Sequence, residues 1–151
     1  MSGNFVSRYM KQEFFMDVHP PLGKLLLALG GYLGGYSGDF SFSKIGLSYL
    51  SKQVPYMSMR TVPALMGVFL IPLTFVTLLN FKASRSAATL SCLLLILDNA
   101  LTCQSRLIML DSILIFFVAS SVFCWSQFRK YAKKPFSLLW WNWLLFLGIS
   151  F

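Results

Sequence analysis

The sequence predicts an all-α polytopic membrane protein. Hydrophobic residues make up 56% of the 151-residue chain and charged residues only 12%, whereas a soluble domain is about one quarter charged. The few charges are grouped between long apolar runs. Because a helix needs about 20 mainly apolar residues to cross the hydrocarbon core, these runs predict spanning helices rather than the core of a soluble domain.

Four apolar runs are predicted to cross the membrane. Residues 61–81, 86–105 and 107–128 are long enough to span the hydrocarbon core. Residues 137–151 are only marginally long enough, but tryptophans stand near their start, where interfacial aromatic rings are expected: Trp140, Trp141 and Trp143. The sequence thus predicts about four transmembrane helices.

A fifth, shorter run predicts a helix near residues 22–38. It is rich in glycine, and runs of about 10–14 apolar residues are typical of interfacial or core helices. We therefore expect it to lie at the membrane surface or to pack among the spans, as part of a segment, residues 1–60, that precedes the transmembrane bundle of residues 61–151.

The basic residues predict the orientation of the spans. Six of them occupy the connections that follow the first and third spans: Lys82, Arg85, Arg129, Lys130, Lys133 and Lys134. The positive-inside rule places those connections in the cytoplasm and the first 60 residues on the opposite face. We therefore attribute the net charge of +8 to basic residues that set the orientation of the spans and contact anionic lipid headgroups. No nucleic-acid partner is expected.

The cysteine and histidine pattern does not indicate a metal site. Cys92, Cys103 and Cys124 lie in apolar runs without a CxxC spacing, and His19 is the only histidine. These cysteines are interpreted as unpaired packing residues, and the sequence indicates neither a bound metal nor a cofactor.

The segment from Asp17 to Lys24 is the first candidate site. It places a carboxylate, the imidazole of His19 and an ammonium within eight positions, and Pro20 and Pro21 stiffen the backbone between them. Such a corner at a membrane surface would suit an anionic headgroup or a reactive oxygen. The alternative is a capped turn at a helix start, in which Asp17 accepts local hydrogen bonds.

Two arginines form the second candidate site. Arg60 and Arg106 stand at the ends of predicted spans on the same face of the membrane. Guanidinium groups bind phosphate oxygens in a bidentate fork, so the pair suits a phosphate. The alternatives are contact with lipid headgroups and, for Arg106, an ion pair with Asp111.

Asp98 is a third polar candidate, because it lies inside the predicted second span. An ionised carboxylate in hydrocarbon is costly, so an intramembrane acid suggests function. The alternative is a structural role through pairing with Arg106, two helical turns away. Asp98 and Asp111 are therefore kept as structural or polar candidates.

An ordered series of motifs runs along nearly the whole chain. Residues 13–24 read EFFMDVHPPLGK, and further landmarks follow in order: GGYLGGY at 30–36, Met59-Arg60, Asp98-Asn99-Ala100, Gln104-Ser105-Arg106, Leu110-Asp111 and Trp140-Trp141. Together they resemble the protein O-mannosyltransferase family, the dolichyl-phosphate-mannose–protein mannosyltransferases, whose signature is FFxDVHPPxGK. The subfamily most resembled contains the animal O-mannosyltransferase 1 and its fungal counterparts.

The resemblance implies a partial membrane-embedded glycosyltransferase fold of the GT-C type, multi-pass in the endoplasmic reticulum membrane. It implies transfer of mannose from dolichyl phosphate mannose to Ser or Thr hydroxyls of polypeptides, by a dimer with another family member and without a firmly implied cofactor. Residues 1–60 would be luminal. Arg60 and Arg106 would be the leading contacts to the donor phosphate and Lys24 the third, while His19 and Asp17 would shape the loop or touch substrates.

The resemblance also implies what residues 1–151 lack. The family's Asp-Glu pair, expected to hold the catalytic base, would precede residue 1, and further spans and a luminal MIR domain would follow residue 151. We therefore expect a fragment that is inactive alone, with its catalytic residue unknown. The alternatives are an inert truncated or accessory subunit and another lipid-phosphate-sugar-dependent GT-C transferase.

Overall fold

A computed structural model describes residues 2–17, 21–40, 42, 54–132 and 135–150. Within these ranges the chain contains α-helices and no β-strand, which confirms the all-α prediction. The helices are α1 (Ser2–Met10), α2 (Pro21–Leu33), α3 (Tyr56–Asn80), α4 (Arg85–Leu97), α5 (Asn99–Arg106), α6 (Asp111–Tyr131) and α7 (Leu138–Ser150).

The chain divides into two compact units. Unit 1 comprises Met1–Leu65 and Cys103–Ile113, and unit 2 comprises Met66–Thr102 and Leu114–Phe151. Unit 1 thus holds α1, α2 and the first turns of α3, whereas unit 2 holds α4, α7 and most of α3 and α6. The division into a luminal segment (1–60) and a membrane bundle (61–151) stays a prediction.

Two helices of the described ranges are long and apolar enough to cross a membrane. They are α3, with 25 residues, and α6, with 21 residues. The pair α4 and α5 reaches spanning length only as one broken span, bent by 57°. Helix α7 has 13 residues and is shorter than the marginal span predicted at 137–151. The chain is therefore a membrane protein with two or three candidate spans.

A break between α4 and α5 interrupts the segment predicted as a span at 86–105, which stays a prediction as one broken span. Asp98 caps the end of α4 with extended backbone angles, and its Oδ1 accepts a hydrogen bond of 2.9 Å from the backbone N–H of Ala100. Aspartate competes in this way with the helical hydrogen bonds of its neighbours. The helix consequently ends at Leu97, and a new one begins at Asn99.

Helix α2 is shorter than the helix predicted near residues 22–38. It begins at Pro21, where the fixed φ and missing N–H of proline suit the first helical turn. It ends at Leu33 because Gly35 adopts a φ of +76°, and the N–H of Tyr36 then bonds the carbonyl of Gly31 at 3.0 Å. This is the Schellman ending that glycine favours.

Helix α1 lies in a part of the segment 1–60 for which the sequence analysis predicts no helix. Its apolar residues recur at helical spacing, which is the signal that could have revealed it: Phe5, Val6, Tyr9 and Met10. Val6 is fully buried together with Leu27 of α2 and Met59 of α3. Helix α1 therefore contributes one side of the core of unit 1.

Glycines of α2 and the turn after it allow the close approach of α3. A Cβ at Gly34 would lie 2.6 Å from Ser58 Oγ and 2.8 Å from Pro55 Cβ, and one at Gly30 would lie 3.0 Å from the carbonyl oxygen of Ser58. These contacts are shorter than van der Waals contact, so only glycine fits here without a shift of the backbone or of neighbouring side chains.

We expect Gly34→Ala to destabilise unit 1 by about 1–3 kcal/mol, because the added methyl group overpacks this contact. Chemical unfolding in detergent micelles, followed by circular dichroism, measures the change. Gly148→Ala is the matched control, since a Cβ at that position meets nothing within 4 Å. Equal losses in the two variants would contradict the assigned contact.

Candidate functional site

Lys24 and Asp17 form an ion pair inside unit 1. The Nζ of Lys24 contacts the Oδ2 of Asp17, and their side chains are only 2% and 18% exposed. The ammonium also lies 4.7 Å from the centroid of the Phe5 ring, a cation–π contact. The start of α2 is thereby tied both to the loop before it and to α1.

Aromatic rings enclose this ion pair on the side of α1. Phe15 stacks on Phe5 with centroids 5.4 Å apart and meets the edge of Tyr9 at 5.1 Å. The guanidinium of Arg8 lies 5.5 Å from the centroid of Phe15. Burial among rings explains why the ammonium of Lys24 needs a carboxylate partner, because an unpaired buried charge is strongly unfavourable.

Lys24 and Asp17 thus adopt the arrangement expected of a turn that is held by local contacts. The ammonium is directed to a carboxylate and a ring rather than to an open surface. His19, the third residue of this candidate site, lies outside the described residues. A contact of these residues with substrate stays a prediction.

Arg60 lies in the second turn of α3, within unit 1. Its guanidinium stacks on the ring of Tyr56 at 5.2 Å. The Nε atom is buried and has no hydrogen-bond partner among the described residues. Because buried donors are almost always satisfied, this N–H is a candidate for a ligand oxygen.

Arg106 ends α5 and is exposed, also within unit 1. It makes no ion pair with Asp111 within the part of the chain that the structure describes. Asp111 instead opens α6, where a carboxylate stabilises the positive end of the helix dipole. The guanidinium of Arg106 is therefore available to a phosphate or a lipid headgroup.

Asp98 belongs to unit 2, whereas the other described candidates belong to unit 1. Its side chain binds the backbone N–H of Ala100, and its carbonyl accepts from the hydroxyl of Thr102 at 3.0 Å. Both contacts are with α5, whereas the pairing expected from the sequence was with Arg106, and a structural role for Asp98 stays a prediction.

Ser112 is a further candidate for contact with a ligand, although no sequence motif marks it as one. Its side chain is 5% exposed, yet its Oγ has no hydrogen-bond partner among the described residues. It follows Asp111 in the first turn of α6, in the same unit as Arg60. Its place directly after Leu110-Asp111, one of the motif landmarks, was the signal available.

Unit 1 also contains a cavity of about 290 Å³ beside α1. Its lining includes four charged side chains, Arg8, Lys11, Glu13 and Asp39. The candidates Asp17, Lys24, Arg60 and Arg106 do not line it. The cavity is therefore not the site at which Arg60, Arg106 and Lys24 are predicted to bind a phosphate.

Comparison with known proteins identifies relatives over almost the whole chain. The sequence model of the family described as dolichyl-phosphate-mannose-protein mannosyltransferase matches residues 1–151. The chain is 42% identical over 148 residues to dolichyl-phosphate-mannose–protein mannosyltransferase 4 of Candida albicans and 45% identical over 150 residues to human protein O-mannosyl-transferase 1. It is 40% identical over 151 residues to mannosyltransferase 4 of Saccharomyces cerevisiae.

Each of these alignments covers 98% of the chain but 20% of the relative. The chain thus spans about one fifth of the length of the curated relatives it matches. The identities and the match over residues 1–151 agree with the motif series that the sequence displays. The chain therefore belongs to the dolichyl-phosphate-mannose-protein mannosyltransferase family.

Proposed function

We propose that this chain serves in protein O-mannosylation in the endoplasmic reticulum membrane. In this reaction a Ser or Thr hydroxyl of a polypeptide attacks the anomeric carbon of mannose carried on dolichyl phosphate. The new bond forms as the bond between that carbon and the phosphate oxygen breaks. The electron pair leaves with dolichyl phosphate, and the hydroxyl proton passes to a base of the enzyme.

The observation that carries this proposal is the buried Nε of Arg60, which has no hydrogen-bond partner among the described residues. Negative charge grows on the phosphate oxygen as the mannosyl bond breaks, and a fixed guanidinium stabilises that charge most in a site with little water. Stacking on Tyr56 fixes the guanidinium in direction. We assign Arg60 to the donor phosphate and Arg106, in the same unit, to a second contact with it.

Lys24 and Asp17 have a different role in this proposal. Their ion pair holds the start of α2 against α1 and keeps the loop between them in place. We therefore assign them to the positioning of the loop that contains His19, and not to direct contact with the donor phosphate. A dimer with another family member completes the proposed assembly.

A segment exchange tests the proposed function. Residues 1–151 would replace the aligned segment of Saccharomyces mannosyltransferase 4, to which they are 40% identical. We expect microsomes that contain the chimera to transfer radiolabelled mannose from dolichyl phosphate mannose to a Ser/Thr peptide. A chimera that inserts and accumulates like the parent, but transfers nothing, would contradict the proposal.

A further inference from the structure

Positive charge is concentrated at one end of the helices of unit 2. We call this cluster the basic end; it consists of four exposed residues, Lys82, Arg85, Arg129 and Lys130. The only acidic residue in the sequence of unit 2 is Asp98. It follows the last residue of α4, whereas Arg85 is the first, so a helix roughly 20 Å long separates the two charges.

The two cations of α6 are held beside the end of α3. Lys130 Nζ donates to Oδ1 of Asn80, and Nδ2 of Asn80 donates to Ser126 Oγ at 2.9 Å. Arg129 stacks on Trp125 at 5.0 Å. Because Asn80 lies two residues before Lys82, the contact of Lys130 with Asn80 places the end of α6 beside the end of α3.

Lys82 and Arg85 occupy the connection between α3 and α4. Lys82 has a φ of +64°, and the N–H of Ala83 bonds the carbonyl of Leu78 at 3.1 Å, which closes α3 with a Schellman motif. Neither side chain forms a hydrogen bond or ion pair with any residue in the described ranges. Both charges are therefore available to an external anion.

Helix electrostatics alone do not account for the basic end. Arg129 and Lys130 do complement the negative end of the α6 dipole. Arg85, however, is the first residue of α4, where the helix dipole is positive and disfavours a cation. The N-terminus of α4 and three neighbouring cations thus repel Arg85, and an anion at this position would relieve that repulsion.

The position of the basic end along the spans indicates which anion it meets. Both α3 and α6 have the length and hydropathy of membrane spans, and both end here. Aromatic rings lie at the same end of α6, where Phe128 packs on Trp140 at 5.3 Å and Trp125 on Phe81 at 6.0 Å. Tryptophan is enriched at the depth of lipid headgroups, so the phosphate of a lipid lies within reach of these cations.

We propose that the basic end is a binding site for the headgroup of an anionic glycerophospholipid, whose net negative charge distinguishes it from zwitterionic phosphatidylcholine. Arg85 and Lys82 contact the headgroup from the α3–α4 connection, and Arg129 and Lys130 from the end of α6. The site is independent of the proposed mannose transfer, because none of its residues belongs to unit 1.

Lipid selection in nanodiscs tests this proposal. The purified chain is placed in nanodiscs of phosphatidylcholine that contain phosphatidylserine as the minor lipid, and native mass spectrometry measures the ratio of the two lipids that stay bound. We expect enrichment of phosphatidylserine. Lys82→Gly should lower its affinity about fivefold, and Lys82→Gly with Arg129→Gln about thirtyfold, since each cation near a lipid surface contributes about 1 kcal/mol.

The variants are chosen so that the fold survives. Glycine prefers the positive φ of position 82, and Lys82→Asn is a second variant that tolerates it. The glutamine of Arg129→Gln keeps part of the side-chain stem beside Trp125. Lys11→Gln removes one exposed cation from unit 1 and should leave the enrichment unchanged, while circular dichroism verifies that every variant is helical.

Three results would overturn the proposal. The first is equal retention of phosphatidylserine and phosphatidylcholine by the unaltered chain. The second is unchanged enrichment in the double variant. The third is an equal loss in Lys11→Gln, because the lipid would then respond to net charge alone. The conservative variant Lys82→Arg keeps the charge, and enrichment at the level of the unaltered chain in this variant supports the proposal.

Discussion

Asp17→Asn is expected to destabilise unit 1 by about 3 kcal/mol. The substitution removes the carboxylate charge that Lys24 contacts, while the side chain of Lys24 stays 2% exposed. Removing one partner of a buried ion pair typically costs about 3–5 kcal/mol, because the remaining charge has lost its compensation. The lower end of that range applies, since the side chain of Asp17 is 18% exposed.

Hydrogen–deuterium exchange of the α2 amides measures this effect. The amides of Pro21–Leu33 should exchange at least one hundredfold faster in Asp17→Asn, about 3 kcal/mol in local opening free energy. The four tryptophans lie in unit 2, so tryptophan fluorescence should change little. Unchanged exchange in α2 would show that the ion pair does not hold this helix.

Lys24→Met provides the matched comparison. Methionine keeps the buried apolar stem and removes the charge, and Asp17 can then turn toward water. We expect Lys24→Met to cost less than Asp17→Asn, and the double variant to approach the stability of the unaltered chain, because a buried ion pair can often be replaced without loss. A double variant whose losses simply add would contradict the coupling.

Helices were predicted correctly where the sequence contains long, uniformly apolar runs. Apolar runs of about 20 residues have few solutions other than a helix in lipid, and α3 and α6 follow from that constraint alone. The break at Asp98 did not follow, because one aspartate changes the mean hydropathy of a window very little. Its effect depends on one hydrogen bond, to the N–H of Ala100.

The sequence singled out Asp17, Lys24 and Arg60, but it could not predict how these residues are arranged. The spacing of Asp17 and Lys24 indicated a polar corner, yet the burial of the ammonium depends on Phe5, a residue of a helix that was not predicted. Likewise, the unpartnered Nε of Arg60 depends on packing around α3 that no local pattern encodes. Tertiary contacts decided both features.

Arg60→Ala is expected to abolish mannose transfer by the chimeric enzyme described above. Removing one preorganised donor to developing negative charge typically lowers kcat about 100- to 1,000-fold. The loss should appear in kcat more than in KM, because the charge on the phosphate oxygen grows as the mannosyl bond breaks. Transfer of radiolabelled mannose to a Ser/Thr peptide, at varied donor concentrations, measures both constants.

Arg8→Ala is the matched control for Arg60→Ala. Both arginines belong to unit 1, and both stack on an aromatic ring, at 5.5 Å on Phe15 for Arg8 and 5.2 Å on Tyr56 for Arg60. Each variant removes a stacked cation from unit 1, but only Arg60→Ala should lose transfer.

The conservative variant Arg60→Lys separates charge from geometry. Lysine keeps the positive charge but lacks Nε and the planar fork that grips two phosphate oxygens, so we expect transfer intermediate between Arg60→Ala and the unaltered chimera. Normal transfer by Arg60→Ala, with normal accumulation in the membrane, would remove Arg60 from the donor site. An equal loss in Arg8→Ala would instead assign the effect to the folding of unit 1.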